Sequence, residues 1–215
     1  MTSSRAIIIM TRYPDPGRVK TRLIPALDAD EAARLHRQMV EYAMSTVRGF
    51  TSASPAGIFV FFNGGSKELM ASWLGDEAEY LPQADGNLGD KMRAAFHAVF
   101  NREFKTVTMI GSDCPTIDRH ILRQAFSSLA QADMVVGPAL DGGYYLLGLK
   151  QVYDQLFEGI DWGGSKVLTQ TLSAARNQRI TVSCLPELSD IDRPEDLVNL
   201  KGIAAFSSLA QADMV

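Results

Sequence analysis

The chain has 215 residues, 46% of them hydrophobic, enough to bury one sizeable core but short for a second independent domain. Its 21 Lys and Arg against 25 Asp and Glu leave a formal charge of −4, which excludes a global basic field for nucleic acid, so any anion site must be local. Cys114 and Cys184 form no C-x-x-C pair and His36, His97 and His120 stand singly, which argues against a structural zinc site or a disulfide framework.

Short apolar runs rich in β-branched and aromatic residues alternate with amphipathic stretches, the pattern of an α/β fold. The first strand is expected over 6–10. It runs straight into "MTRYPDPGRVKTRL", where Pro14, Pro16 and Gly17 shape a turn carrying Arg12, Arg18, Lys20 and Arg22. A helix is expected over 29–48, opened by a capping box of Asp28 and Glu31, with Ala32, Leu35, Met39, Ala43 and Val47 at helical spacing. Further strands are expected at 58–62, 107–111, 134–137, 144–149 and 180–185, and further helices at 67–74, 88–101, 118–131, 165–176 and 194–206. Unbroken apolarity in the first three strands implies burial on both faces of a largely parallel sheet. No apolar run approaches membrane-spanning length and the N-terminus lacks a signal-type core, so a cytoplasmic setting is expected.

One segment occurs twice. "AFSSLAQADMV" at 125–135 returns letter for letter at 205–215. A structural repeat would have drifted in its surface letters, so identity points to a recent duplication or a cloning artefact, leaving a single domain over 1–204 followed by a tail that continues the last helix or is disordered. The sharper alternative is a copy that competes for its parent's slot in a neighbouring molecule, giving a swapped dimer.

In open α/β sheets ligands bind beyond the carboxyl ends of the strands, and the Arg/Lys-bearing turn leaves the end of the first strand. Its four cations suit phosphates, although it matches neither G-x-x-x-x-G-K-[ST] nor G-x-G-x-x-G, and a plain solvated basic turn is the alternative. "GSDCPTID" puts Asp113 at another strand end, placed to hold Mg²⁺ or, alternatively, to cap the next helix, a task Thr116 could take instead. In "ADGNLGDKM", Gly86 and Asn87 precede a helix start and could meet an anion or a nucleobase edge, or form an ordinary turn. Asp141, Gly142 and Gly143 lead into a strand and face an acceptor or act as a hairpin turn, with Tyr144 and Tyr145 on opposite faces. Trp162 before Gly163, Gly164 and Ser165 is an acceptor lid or a packing residue. Cys114 is expected to be a buried packing residue rather than a nucleophile.

"PGRVKTRL", "GNLGDKM", "GSDCPTID", "DGGYYLLGL", "WGGSKVLTQT" and "DIDRPEDL", in this order, resemble a small bacterial family of GT-A-fold nucleotide-diphospho-sugar transferases of the radical-SAM/selenodomain-associated type. More distantly, the first and third motifs are similar to phospholactate guanylyltransferases and molybdenum-cofactor nucleotidyltransferases. The resemblance implies a three-layer α/β/α sandwich with a mostly parallel mixed sheet, the Rossmann-like GT-A fold. It assigns Arg12, Gly17, Arg18, Lys20 and Arg22 to the phosphate loop, Asp113 to the metal, and Asp192 to a second metal contact; Asp192 could equally cap the last helix. Two departures stand out: Tyr13-Pro14-Asp15-Pro16 replaces the several glycines usual in nucleotidyltransferase loops, and Ser112-Asp113-Cys114 replaces the Asp-x-Asp pair of metal-dependent glycosyltransferases.

The expected activity is a Mg²⁺- or Mn²⁺-assisted transferase with Lys20 and Asp113 at its centre, moving a glycosyl group from an NDP-sugar to an acceptor. The alternatives are nucleotidyl transfer with release of pyrophosphate from an NTP, and a non-catalytic nucleotide-binding module. The partners are then a nucleotide-activated donor and an acceptor, without nucleic acid and without a membrane span, and with a dimer as one option.

Overall fold

The computed structural model describes residues 4–24 and 26–206. Among these described residues seven strands form one sheet: β1 (Arg5–Arg12), β2 (Gly57–Asn63), β3 (Glu79–Pro82), β4 (Thr106–Gly111), β5 (Met134–Pro138), β6 (Tyr144–Leu149) and β7 (Val182–Cys184). Their order is β3-β2-β1-β4-β6-β5-β7. β6 alone runs antiparallel to its neighbours β4 and β5. Among the described residues five α-helices cover the sheet: α1 (Ala29–Thr51), α2 (Lys67–Leu74), α3 (Leu88–Phe100), α4 (Arg119–Ser128) and α5 (Val167–Asn177). This is the α/β/α sandwich with a mostly parallel mixed sheet that the sequence led us to expect.

The layers follow from strand alternation. On β1, Ile7 and Ile9 pack with Val40, Met44 and Val47 of α1 and with Leu122 and Phe126 of α4. Ala6 and Ile8 point to the other face, against Met92, Phe96 and Val99 of α3. Both faces are thus dry, which is why the central strands read as unbroken apolar runs; burying each isoleucine contributes about 1.5–3 kcal/mol. Tyr144 and Tyr145 divide between the same two layers, as alternation requires.

α1 begins at the expected capping box: Asp28 accepts from the Glu31 N–H at 2.7 Å and Glu31 accepts from the Asp28 N–H at 2.9 Å. Three departures have physical reasons. β3 went unread because it is a four-residue edge strand that buries only Tyr80 and ends in proline. The expected helix over 194–206 is two 3₁₀ segments, Pro194–Leu200 and Ala204–Phe206, with Gly202 at φ +89° between them. α4 is capped by Asp118, which accepts from the Ile121 N–H at 2.8 Å, so neither Asp113 nor Thr116 performs that task. Of the repeated tail, 207–215 lie outside the described residues; Phe206, by contrast, is fully buried on α1 beside Tyr42 rather than extending a helix. No helix among the described residues is long and apolar enough to cross a membrane.

The chain leaves β1 to pair β2 on one side, and later returns to pair β4 on the other side of β1. The connections after β1 and β4 therefore part in opposite directions, and the resulting crevice at the carboxyl edge is where such folds admit ligands.

Candidate functional site

At that crevice lies a cavity of about 740 Å³, a volume suited to a nucleotide-sized ligand. Because β6 is reversed, its first residues reach the same edge as the ends of β1, β4 and β5, so segments distant in sequence meet there. Arg12, Arg18, Lys20, Arg22, Gly86, Asn87, Asp113, Asp141, Gly143, Trp162 and Asp192 all line it. Gly17 and Gly142 do not. Gly17 adopts φ +73° with open space around it, so its glycine serves the turn rather than a close approach. Gly142, at φ +87°, packs against backbone: a Cβ there would lie 2.0 Å from the Ser165 carbonyl oxygen.

The centre of the site is an ion cluster. The Lys20 ammonium, only 3% exposed, lies 2.9 Å from Asp113 Oδ1 and 4.0 Å from Asp192 Oδ1, and donates to the Ile191 carbonyl. Arg22 Nη1 meets Asp192 Oδ2 at 2.5 Å. Lys20 itself sits in the left-handed region at φ +48°, a strained conformation for a non-glycine residue that turns its side chain inward under the loop. Burial would by itself raise the Asp113 carboxyl; the Lys20 ammonium beside it, helped by the Arg12 guanidinium, outweighs that and holds it below the usual 3.8. Asp113 is therefore ionised at neutral pH. Asp192 does not cap the segment after it: the Asp192 and Arg193 N–H groups donate instead to Asp196 Oδ2 at 3.0 and 2.7 Å.

Around this cluster other expectations resolve. Asn87 spends its amide oxygen on the Asp90 N–H and its own N–H on Asp90 Oδ2, so it caps α3 while lining the cavity. Gly86 is required there, because a Cβ would lie 2.6 Å from Asp90 Oδ2. Asp141 and Gly143 serve both the hairpin turn and the cavity wall: Asp141 Oδ1 accepts from the Gly143 N–H at 2.8 Å. Trp162 packs its indole over Gly89 at the start of α3, where a Cβ would fall 2.4 Å from Nε1, and so it walls the cavity by packing. Cys114 is buried, and burial pushes its thiol up.

The sequence reading missed His36 and Asp190. His36, buried on α1, donates from Nε2 to the Arg12 carbonyl at 3.0 Å, which leaves Nδ1 as an unpartnered lone pair. Burial keeps this imidazole neutral against the opposing pull of Asp113. Nothing in the sequence separates it from a core residue between Leu35 and Met39. Asp190 is pushed up to about 6 by burial and by Asp141 across the cavity, a proximity that the "DID" letters alone do not show.

The ligand chemistry is that of hard oxygen donors. Among the described residues no group of three or more His, Cys, Asp or Glu side chains is placed to hold a metal ion. Asp113 and Asp192, however, both flank one positive charge, and Mg²⁺ commonly takes one or two carboxylates and draws its remaining ligands from water and phosphate. The residues present fit such an ion.

A three-layer α/β/α fold with a mostly parallel mixed sheet and a charged cavity at its switch point is the class that this architecture defines. Within it, the chain belongs to the DUF2064 family, described as an uncharacterized protein conserved in bacteria, which matches residues 46–164. A solved structure from Desulfovibrio desulfuricans G20, provisionally named a nucleotide-diphospho-sugar transferase, is 28% identical with a TM-score of 0.89, covering 99% of this chain and 96% of that one. CMP:2-keto-3-deoxy-manno-octonic acid synthetase complexed with CTP shares the fold at 14% identity and a TM-score of 0.60, covering 98% of this chain and 100% of that one. Glucosyl-3-phosphoglycerate synthase from Mycobacterium tuberculosis, in complex with Mn²⁺, UDP and glucosyl-3-phosphoglycerate, shares it at 11% identity and a TM-score of 0.56, covering 96% and 79%. No curated protein matches the chain.

Proposed function

We propose that this protein is a divalent-metal-dependent transferase that takes a nucleotide-activated donor, with glycosyl transfer from an NDP-sugar as its reaction. The observation that carries the reading is the meeting of Asp113 and Asp192, from segments almost eighty residues apart, on the buried Lys20 ammonium at the floor of the cavity. Asp113 and Asp192 would hold Mg²⁺ or Mn²⁺, whose chemistry there is to polarise the phosphoryl oxygens of the donor. Arg12 and Arg18, at the rim of the same cavity, would neutralise diphosphate charge, with Lys20 and Arg22 fixing the carboxylates beneath. Asp141, Gly143 and Trp162 form the wall facing an acceptor. The likeness to a provisionally named nucleotide-diphospho-sugar transferase over 99% of the chain supports the donor class, and the Mn²⁺ and UDP of the synthase complex support the metal and the leaving group. The CTP bound to the second neighbour favours a second reading on the same residues, attack on an NTP α-phosphate with loss of pyrophosphate.

The test is thermal stability against NTPs, NDP-sugars and NDPs, each with Mg²⁺, Mn²⁺ or chelator. Ligand at about 100 times its Kd adds about 2.7 kcal/mol. A metal-dependent shift with one NDP-sugar and its NDP, abolished in Asp113→Asn, is expected. A shift confined to an NTP would transfer support to nucleotidyl transfer. Metal-independent binding without turnover would indicate a nucleotide-binding module, and no shift at all would remove the phosphate-loop reading.

A further inference from the structure

A third apolar cluster sits apart from the two layers of the sheet, and it lies directly behind the site. Leu23, Leu35, Met39, Ile191, Leu200 and Phe206 form it, each at most 4% exposed. Two of these residues belong to the loops that hold the charged groups. Leu23 closes the turn that starts at Lys20, its N–H donating to the Lys20 carbonyl at 2.9 Å. Ile191 is a splint between the two loops: its N–H donates to the Asp113 carbonyl at 2.8 Å, and its own carbonyl accepts from the Lys20 ammonium. The backbone of Ile191 thus fixes Lys20 and Asp113 relative to each other, while its side chain is anchored in the cluster and Asp192 follows next in the chain.

Phe206 is the largest side chain of that cluster and is wholly buried, its ring 5.6 Å from that of Tyr42 on α1. It also belongs to the second copy of the repeated segment. In the first copy the corresponding Phe126 stacks on Phe50 of the same helix, at 5.4 Å and 17° between the rings. Identical letters therefore occupy two different seats on α1, one in the main core and one behind the site.

We propose that Phe206 is a positioning residue, an apolar peg that keeps Leu23 and Ile191 seated on α1 and so holds Lys20, Asp113 and Asp192 in one arrangement. The start of the repeated segment is then part of the functional architecture. Interiors pack closely enough that emptying this seat lets its lining move, and the groups free to move are the two site loops, since Leu35 and Met39 are held in the long α1.

The experiment is hydrogen exchange on the full chain and its Phe206→Ala and Phe206→Leu variants, under conditions where circular dichroism shows the fold intact. In Phe206→Ala, the Leu23 and Ile191 amides are expected to exchange at least about tenfold faster, with amides of β1 and β4 within about twofold of the parent. Phe206→Leu, which refills most of the volume and is the variant to read if Phe206→Ala fails to fold, should recover most of the protection. Uniform acceleration across the sheet, or no change at the two loops, overturns the proposal. A second arm rests on the metal–nucleotide reading above: the Kd for the Mn²⁺–nucleotide pair found in that test should rise about tenfold in Phe206→Ala and stay unchanged in the folded control Phe126→Leu. Equal weakening in both variants also overturns it. Because the exchange arm uses no ligand, it stands or falls independently of that reading.

Discussion

Replacing Lys20 by methionine removes one charge from under the cavity while nearly keeping the volume of the stem, so the lost energy reports the ion cluster rather than packing. Truncating one side of a fully buried ion pair costs about 3–5 kcal/mol, and an exposed pair is worth about 0–1. Here Lys20 is 3% exposed and Asp113 half exposed, which places the pair between these limits at about 2 kcal/mol. The Ile191 carbonyl also loses a charged donor, adding about 1 kcal/mol. We expect Lys20→Met to be less stable by about 2–3 kcal/mol at pH 7 in chelator, a fall in Tm of roughly 5–10 °C for a chain of this size.

The pH dependence follows from the sign of the shift. The Asp113 carboxyl lies below its ordinary 3.8 in the folded chain, so the contribution of the pair is complete above that value and is lost as the pH falls through the depressed folded pKa. Urea unfolding of both proteins at pH 7 and then stepwise below pH ~4 measures it, and the gap should narrow in acid. A double variant, Lys20→Met with Asp113→Asn, should cost about 1–2 kcal/mol less than the sum of its parts. A gap under about 0.5 kcal/mol at pH 7, or one that persists undiminished in acid, would refute the reasoning.

Gly142→Ala should lose at least about 2–3 kcal/mol by chemical denaturation, because the new methyl meets the Ser165 backbone at 2.0 Å in a left-handed conformation; a cost near zero would show that this turn gives way freely. Asp190→Asn, in metal-free protein, should gain about 1–2 kcal/mol at pH 7 after allowance for solvent screening, since a carboxyl held near 6 weakens the fold once ionised. That gain should vanish below pH ~4, where both the folded and the unfolded carboxyl are protonated, and a gain independent of pH would refute the assignment. Cys114→Ser should leave transfer activity within about threefold of the parent, because a buried thiol pushed up in pKa is not a nucleophile; a loss of several orders of magnitude would overturn this.

By itself the sequence determined the layers and the edge at which the candidate site lies. Strand alternation, the dominant apolarity of β1, β2 and β4, and the Asp28–Glu31 capping box are local patterns, and local patterns survive in a string of letters. The same holds for Arg12 and Asp113 at the ends of readable strands and for Arg18, Lys20 and Arg22 in the turn that follows the first of them. What only the tertiary structure decided is how these groups are paired. That Lys20 is buried between Asp113 and Asp192 depends on Ile191 being held behind it, a contact across some 170 residues that no spacing encodes. His36 reads as core until the Arg12 carbonyl is found against it, and Asp190 carries no signal until the turn before the reversed strand β6 brings Asp141 across from it. Glycines divide in the same way. Gly86 and Gly142 look alike in sequence as turn residues, yet one serves a helix cap at the cavity and the other a backbone contact outside it, because what a Cβ would strike is a property of the neighbours that folding brings in.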